Sequence, residues 1–94
     1  MGYNLSDSLI DAMHYKDAFN VCEKSIAFCK LTGNLNLLPE LLYNRAKALY
    51  YMDCKNEAEK GFKHSRATYL AHGNTELAEF VKNTVSEKYQ IYLQ

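Results

Sequence analysis

The sequence is poor in the residues that break helices. It has one proline, Pro39, and four glycines in 94 residues. Long stretches therefore run without an interruption, which favours helix over a loop-rich β fold. Charge of one sign is also missing, since eleven basic residues balance eleven acidic ones. A domain of zero net charge lacks the electrostatic footprint of a nucleic-acid binder, so no direct nucleic-acid contact is expected of this segment. No apolar run approaches the roughly 18–20 residues needed to span a bilayer, and no membrane association is expected. The N-terminus has no signal-peptide pattern. The three cysteines form no CxxC pair, and their odd number points to free thiols in a reducing, cytoplasmic setting.

Almost half of the residues are hydrophobic, enough to form one modest core and a single domain over 1–94. Shifting the chain by forty residues aligns eight identities: Tyr3 and Asn4 with Tyr43 and Asn44, Leu9 with Leu49, Ala18 with Ala58, Ser25 with Ser65, Gly33-Asn34 with Gly73-Asn74, and Leu37 with Leu77. Asp17 with Glu57 and Leu41 with Val81 are conservative matches. The matches fall at turns, at small helix-packing positions and at apolar anchors. They divide the chain into a first repeat over about 3–35, a second over about 36–73 and a closing helix over about 75–92.

Five helices are expected, near 3–13, 15–32, 36–52, 54–72 and 75–92. Gly33 and Gly73 are suited to the left-handed residue that ends a helix. Asn36 is a candidate N-cap of the 36–52 helix and Asn74 or Thr75 of the last one, and Pro39 is tolerated in a first turn. At about 100° per residue, Ala18, Val21, Cys22, Ser25 and Cys29 form one apolar stripe. Cys54, Ala58, Phe62, Ser65 and Tyr69 form another, flanked by Gly61. The 36–52 helix carries a broad arc of Leu38, Leu41, Leu42, Ala46, Ala48, Leu49 and Met52. A single helix pair cannot bury such faces, so stacked pairs must.

The pattern resembles the tetratricopeptide repeat. Leu42, Ala46, Leu49, Ala58 and Phe62 stand at that motif's spacing, although the first repeat has Cys22 where Phe62 stands in the second. The resemblance implies an all-α, right-handed α-solenoid of helix hairpins. Repeats longer than the usual length resemble those of the C-terminal peptide-sensing domains of RNPP-type (Rgg/PlcR-like) bacterial transcriptional regulators. Tyr43-Asn44-Arg45-Ala46-Lys47-Ala48-Leu49-Tyr50 and His72-Gly73-Asn74-Thr75-Glu76-Leu77-Ala78-Glu79-Phe80 look like such repeats. On that reading the chain is a C-terminal fragment of a longer protein, with Met1-Gly2 as an added start.

The 36–52 helix has a second face beyond its core arc, made of Glu40, Tyr43, Lys47, Tyr50 and Tyr51 with Asn44 at its edge. Tyrosine combines contact area with a polar tip. Asparagine offers both a donor and an acceptor to a peptide backbone. The resemblance implies that this face lines a concave groove and that Asn4 and Asn44 hold a ligand backbone. The forty-residue shift adds Tyr3, Asn4, Asp7, Ile10 and Asp11, together with Asn83, Glu87 and Gln90. The structural alternative is that the tyrosines pack between helices and the asparagines bond their neighbours.

Arg45 lies within the apolar arc and is expected to rest its stem on the core while its head reaches a carboxylate. Cys22 and Cys29 correspond to Phe62 and Tyr69, so they read as buried packing residues. Cys54 opens a helix, where the dipole could favour a thiolate. His14, His64 and His72 have no metal spacing, and neither a nucleophile–base arrangement nor a phosphate loop is indicated. No enzymatic activity and no cofactor are expected. The expected function is binding of a short peptide or protein segment in a bacterial cytoplasmic regulator. The alternative is a structural oligomerisation or scaffold module, with a homodimer through the apolar band Leu77, Phe80, Val81, Val85, Tyr89 and Tyr92.

Overall fold

The computed structural model describes residues 14–93. Four helices and no strand are found among these residues: α1 (Tyr15–Thr32), α2 (Leu38–Tyr51), α3 (Lys55–Ala71) and α4 (Thr75–Tyr89). The helix expected over 3–13, with Asn4 and Asp7 on it, lies outside the described residues. Each helix packs mainly against its neighbours in the chain, α1 on α2, α2 on α3 and α3 on α4.

The helix ends follow from local chemistry. Gly33 closes α1 at φ 76°, a conformation open to glycine at no steric cost. The α2–α3 and α3–α4 turns share one geometry. Asp53 is left-handed (φ 66°) and the Cys54 N–H donates to the Leu49 carbonyl at 2.9 Å. Gly73 is left-handed (φ 76°) and the Asn74 N–H donates to the Tyr69 carbonyl at 2.8 Å. Both turns thus satisfy a carbonyl that the ending helix leaves without a partner. Asn74 then caps α4, its Oδ1 accepting from the Leu77 N–H at 3.2 Å.

Two boundaries differ from expectation. Leu37, not Asn36, occupies the cap of α2, and no side chain bonds there. The Asn36 N–H instead donates to Asn34 Oδ1 at 3.4 Å, which places Asn36 in the preceding turn. The last helix stops at Tyr89 and not near residue 92, because Gln90 is left-handed (φ 56°). The chain turns back there and buries Leu93.

The apolar stripes meet as their period requires. Ala18, Cys22, Ile26 and Cys29 are the buried residues of α1. Ile26 and Cys29 pack with Leu38, Leu41 and Leu42 of α2, while Ala18 packs with Ala48. Ala58, Gly61, Phe62, Ser65 and Tyr69 are the buried residues of α3. Phe62 is fully enclosed, stacked on Tyr89 at 5.5 Å between ring centroids and tilted against Tyr43 at 5.6 Å. The buried Ser65 hydroxyl donates to the Pro39 carbonyl at 2.7 Å. The three cysteines are free thiols, with Cys22 and Cys29 buried and Cys54 half-buried at the start of α3. Arg45 meets its expected carboxylate. Its Nε lies 3.2 Å from Glu23 Oε2, and its guanidinium stands 4.9 Å from the centre of the Phe19 ring.

Candidate groove between α2 and α4

The helices α2 and α4 run in the same direction, because Tyr43 faces Phe80 near their starts (6.5 Å) and Tyr51 faces Tyr89 near their ends (5.8 Å). They flank a groove of about 350 Å³ with α3 behind it. Glu40, Tyr43, Asn44 and Lys47 line it from α2, Tyr69 from α3, and Leu77, Phe80 and Val81 from α4. Beyond Lys47 the cleft is filled by tyrosines. The Tyr50 and Tyr89 rings lie 4.4 Å apart, and the Tyr51 and Tyr89 hydroxyls share a hydrogen bond at 3.3 Å. The groove is therefore open toward the starts of α2 and α4 and blocked toward their ends.

Asn44 is 4% exposed, yet it reaches the groove. Its carboxamide makes no hydrogen bond among the described residues. The amide atoms are not cut off from solvent, because they open on the groove. The position could instead carry an apolar side chain, as Leu41 and Leu42 do three and two residues earlier. Around it the walls are aromatic and aliphatic. The Lys47 ammonium lies over the Tyr43 ring, 5.3 Å from its centre. Phe80 and Leu77 face outward on the opposite wall, 54% and 37% exposed.

The expected site residues separate into groups. Tyr43, Asn44 and Lys47 come together in the groove. Tyr50 and Tyr51 do not line it and pack with Tyr89, while Tyr51 also stacks on Tyr15 at 4.9 Å. Asn83 and Glu87 are exposed on α4 and stand outside the lining. Asn4 and Asp7 lie outside the described residues. Sequence reasoning placed Leu77, Phe80 and Val81 in an apolar band suited to a homodimer and not among the groove residues, whereas they form its far wall. The forty-residue shift finds corresponding positions in two repeats, whereas the residue facing Tyr43 is Phe80, about one helical turn earlier.

Burial raises the pKa of the Tyr89 hydroxyl far above the usual tyrosine value, and the hydrogen bond with Tyr51 and the neighbouring Tyr43 and Tyr50 add to the effect. The unfolded chain loses this proton from about pH 10 upward. The folded chain keeps it and so binds more protons, which makes stability fall as pH rises past 10. The Tyr89 contribution is fully present below that pH. Thermal unfolding between pH 9 and 11 should show a steeper alkaline loss for the wild type than for Tyr89→Phe; parallel curves would contradict the assignment.

Among the described residues no group of three or more His, Cys, Asp or Glu side chains could hold a metal ion, and no helix is long and apolar enough to cross a membrane. The groove offers surface, one polar pair and two charges, an arrangement fit for holding a ligand. No protein-family model, curated protein or solved structure matches this chain.

Proposed function

We propose that the chain is a tetratricopeptide-type binding domain that holds a short peptide or protein segment in the groove between α2 and α4. The observation that carries the reading is Asn44, a largely buried residue whose carboxamide opens on the groove and makes no hydrogen bond among the described residues. One donor and one acceptor on a planar amide match a peptide unit irrespective of side chain. In this reading α2–α3 is a hairpin of a right-handed solenoid and α4 opens the next unit. The shared geometry of the turns at Asp53 and Gly73 and the like direction of α2 and α4 support it. The resemblance to RNPP-type regulators suggests the setting, a bacterial cytoplasmic transcriptional regulator that senses a peptide. Binding would act by favouring one of two arrangements of the helix stack, to the extent that the ligand prefers it.

Selection from a displayed library of random dodecapeptides tests this reading. Peptides that bind the wild type should bind Asn44→Ala about 5- to 100-fold more weakly, the worth of one or two hydrogen bonds to a buried group. Thermal stability should change by less than about 1 kcal/mol, since the carboxamide satisfies nothing in the unbound protein. Equal affinity for both proteins, or failure to select any peptide, would overturn the reading.

A second reading, an oligomerisation or scaffold module, is favoured by the apolar surface that α4 and its tail leave open. Phe80 on α4 is 54% exposed and Tyr92 in the tail is 72% exposed. In that case sedimentation should show a concentration-dependent dimer that Phe80→Asp and Tyr92→Asp each dissociate; a monomer at high concentration would exclude it.

A further inference from the structure

The two walls of the groove differ in chemistry near its open end. On α2, Glu40 lines the cleft, half-exposed in the first turn of the helix. Its carboxylate has no ion pair and no hydrogen bond among the described residues. Lys47, farther along α2, has partners of its own and does not compensate Glu40. On α4, Leu77 and Phe80 line the same cleft and keep much of their apolar surface exposed. Asn44 stands four residues after Glu40, about 6 Å along the helix axis. An extended chain covers that distance in about two residues. The packed Tyr50 and Tyr89 rings block the other end, so a chain leaving the groove passes Glu40.

We infer that the groove selects an extended peptide segment in which a cationic side chain, arginine or lysine, is the immediate neighbour of a bulky apolar one. The cation pairs with Glu40, the apolar side chain rests on Leu77 and Phe80, and Asn44 holds a peptide unit within about two residues of the pair. This rests on the peptide-binding reading above and adds the class of sequence. The adjacency follows from the geometry of an extended chain, whose successive side chains point to opposite sides. The carboxylate is on one wall and the apolar surface on the other, so consecutive residues meet them. The chemistry disfavours other ligands. An anionic segment would bring its charge against Glu40. A wholly apolar one would take an unpaired carboxylate out of water. A calcium ion takes about six to eight oxygen ligands, and no cluster of such side chains is present among the described residues.

The test is an array of capped hexapeptides, glycine–serine–X–Z–serine–glycine and the same with X and Z exchanged. X is arginine, lysine, glutamine or glutamate, and Z is leucine or phenylalanine. The wild type should retain the arginine and lysine peptides about two- to fivefold over the glutamine ones, as one partly exposed ion pair allows, and the glutamate ones least. A serine inserted between X and Z turns both side chains toward one wall and should remove that advantage. Glu40→Gln should no longer distinguish arginine from glutamine, and Glu40→Lys should favour glutamate. Glu40 is half-exposed and unpaired, so both variants leave the core intact, as unchanged helical circular dichroism verifies. Retention indifferent to X, an arginine advantage that persists in Glu40→Gln, or one that survives the inserted serine would overturn the inference while leaving peptide binding in place. Retention of no peptide by any of the proteins would overturn both.

Discussion

Replacing Phe62 by alanine is expected to cost about 3–5 kcal/mol of folding stability, the range for removing a large buried aromatic side chain. Phe62 has no exposed surface and sits where three helices meet, stacked on Tyr89 of α4 and tilted against Tyr43 of α2. The substitution removes the transfer free energy of the ring and leaves a cavity that flanking aromatic rings can fill only in part. A small domain holds about 5–15 kcal/mol in all, so the variant should be close to unfolding at ambient temperature. Urea denaturation followed by circular dichroism measures the loss. A cost below about 1 kcal/mol would mean that the three helices are not held through this ring. Tyr43 also forms a wall of the groove, so the variant should lose peptide binding together with stability, unlike Asn44→Ala.

Gly61→Ala is expected to destabilise the protein by about 1–3 kcal/mol, the usual cost of overpacking. Helix propensity alone predicts the opposite sign, a gain of about 1 kcal/mol. The contact decides between them. A Cβ placed at Gly61 would stand 2.8 Å from the Ala46 Cβ and 3.4 Å from the Ala46 Cα. The second of these atoms is backbone, so relief requires α2 and α3 to move apart. The double variant Gly61→Ala with Ala46→Gly should recover part of the loss despite adding a glycine to α2, and a double-mutant cycle in urea reads the coupling. A stabilising Gly61→Ala would contradict the close crossing of these helices.

The core was legible in the sequence because burial in a helix repeats about every 3.6 residues. The stripe on α3 and the arc on α2 are buried with the residues expected, save that Cys54 and Met52 are half-buried at the edges of their helices. Gly33 and Gly73 marked their turns, and the Arg45 carboxylate was foreseeable from an arginine in an apolar arc. Other features had no local signature. Asp53 and Gln90 are left-handed, but nothing distinguishes them in sequence from other turn residues. Ile26 is buried although Val21 and Ser25, expected in its stripe, are only half-buried. Ile26 and Cys29 pack on Leu38, Leu41 and Leu42, a set of partners that the period of α1 by itself does not name.

The site was half legible for a related reason. Periodicity identifies the face of α2 that its core leaves over, and three of its residues do line the groove. It does not say which residues of a later helix come to face them. The cluster of Tyr50, Tyr51 and Tyr89 illustrates the limit. Two tyrosines on the face that the core of α2 leaves over are packed by a third from α4 whose position depends on how far the helices are staggered.

The most direct measurement of the groove's role is the side-chain amide signal of Asn44 in a ¹⁵N nuclear magnetic resonance titration with a library-selected peptide. That signal should shift downfield as its N–H gains a carbonyl partner, together with the backbone signals of Leu77 and Val81. An unmoved Asn44 signal, with shifts confined to the exposed Phe28 and Leu31 on α1, would contradict it.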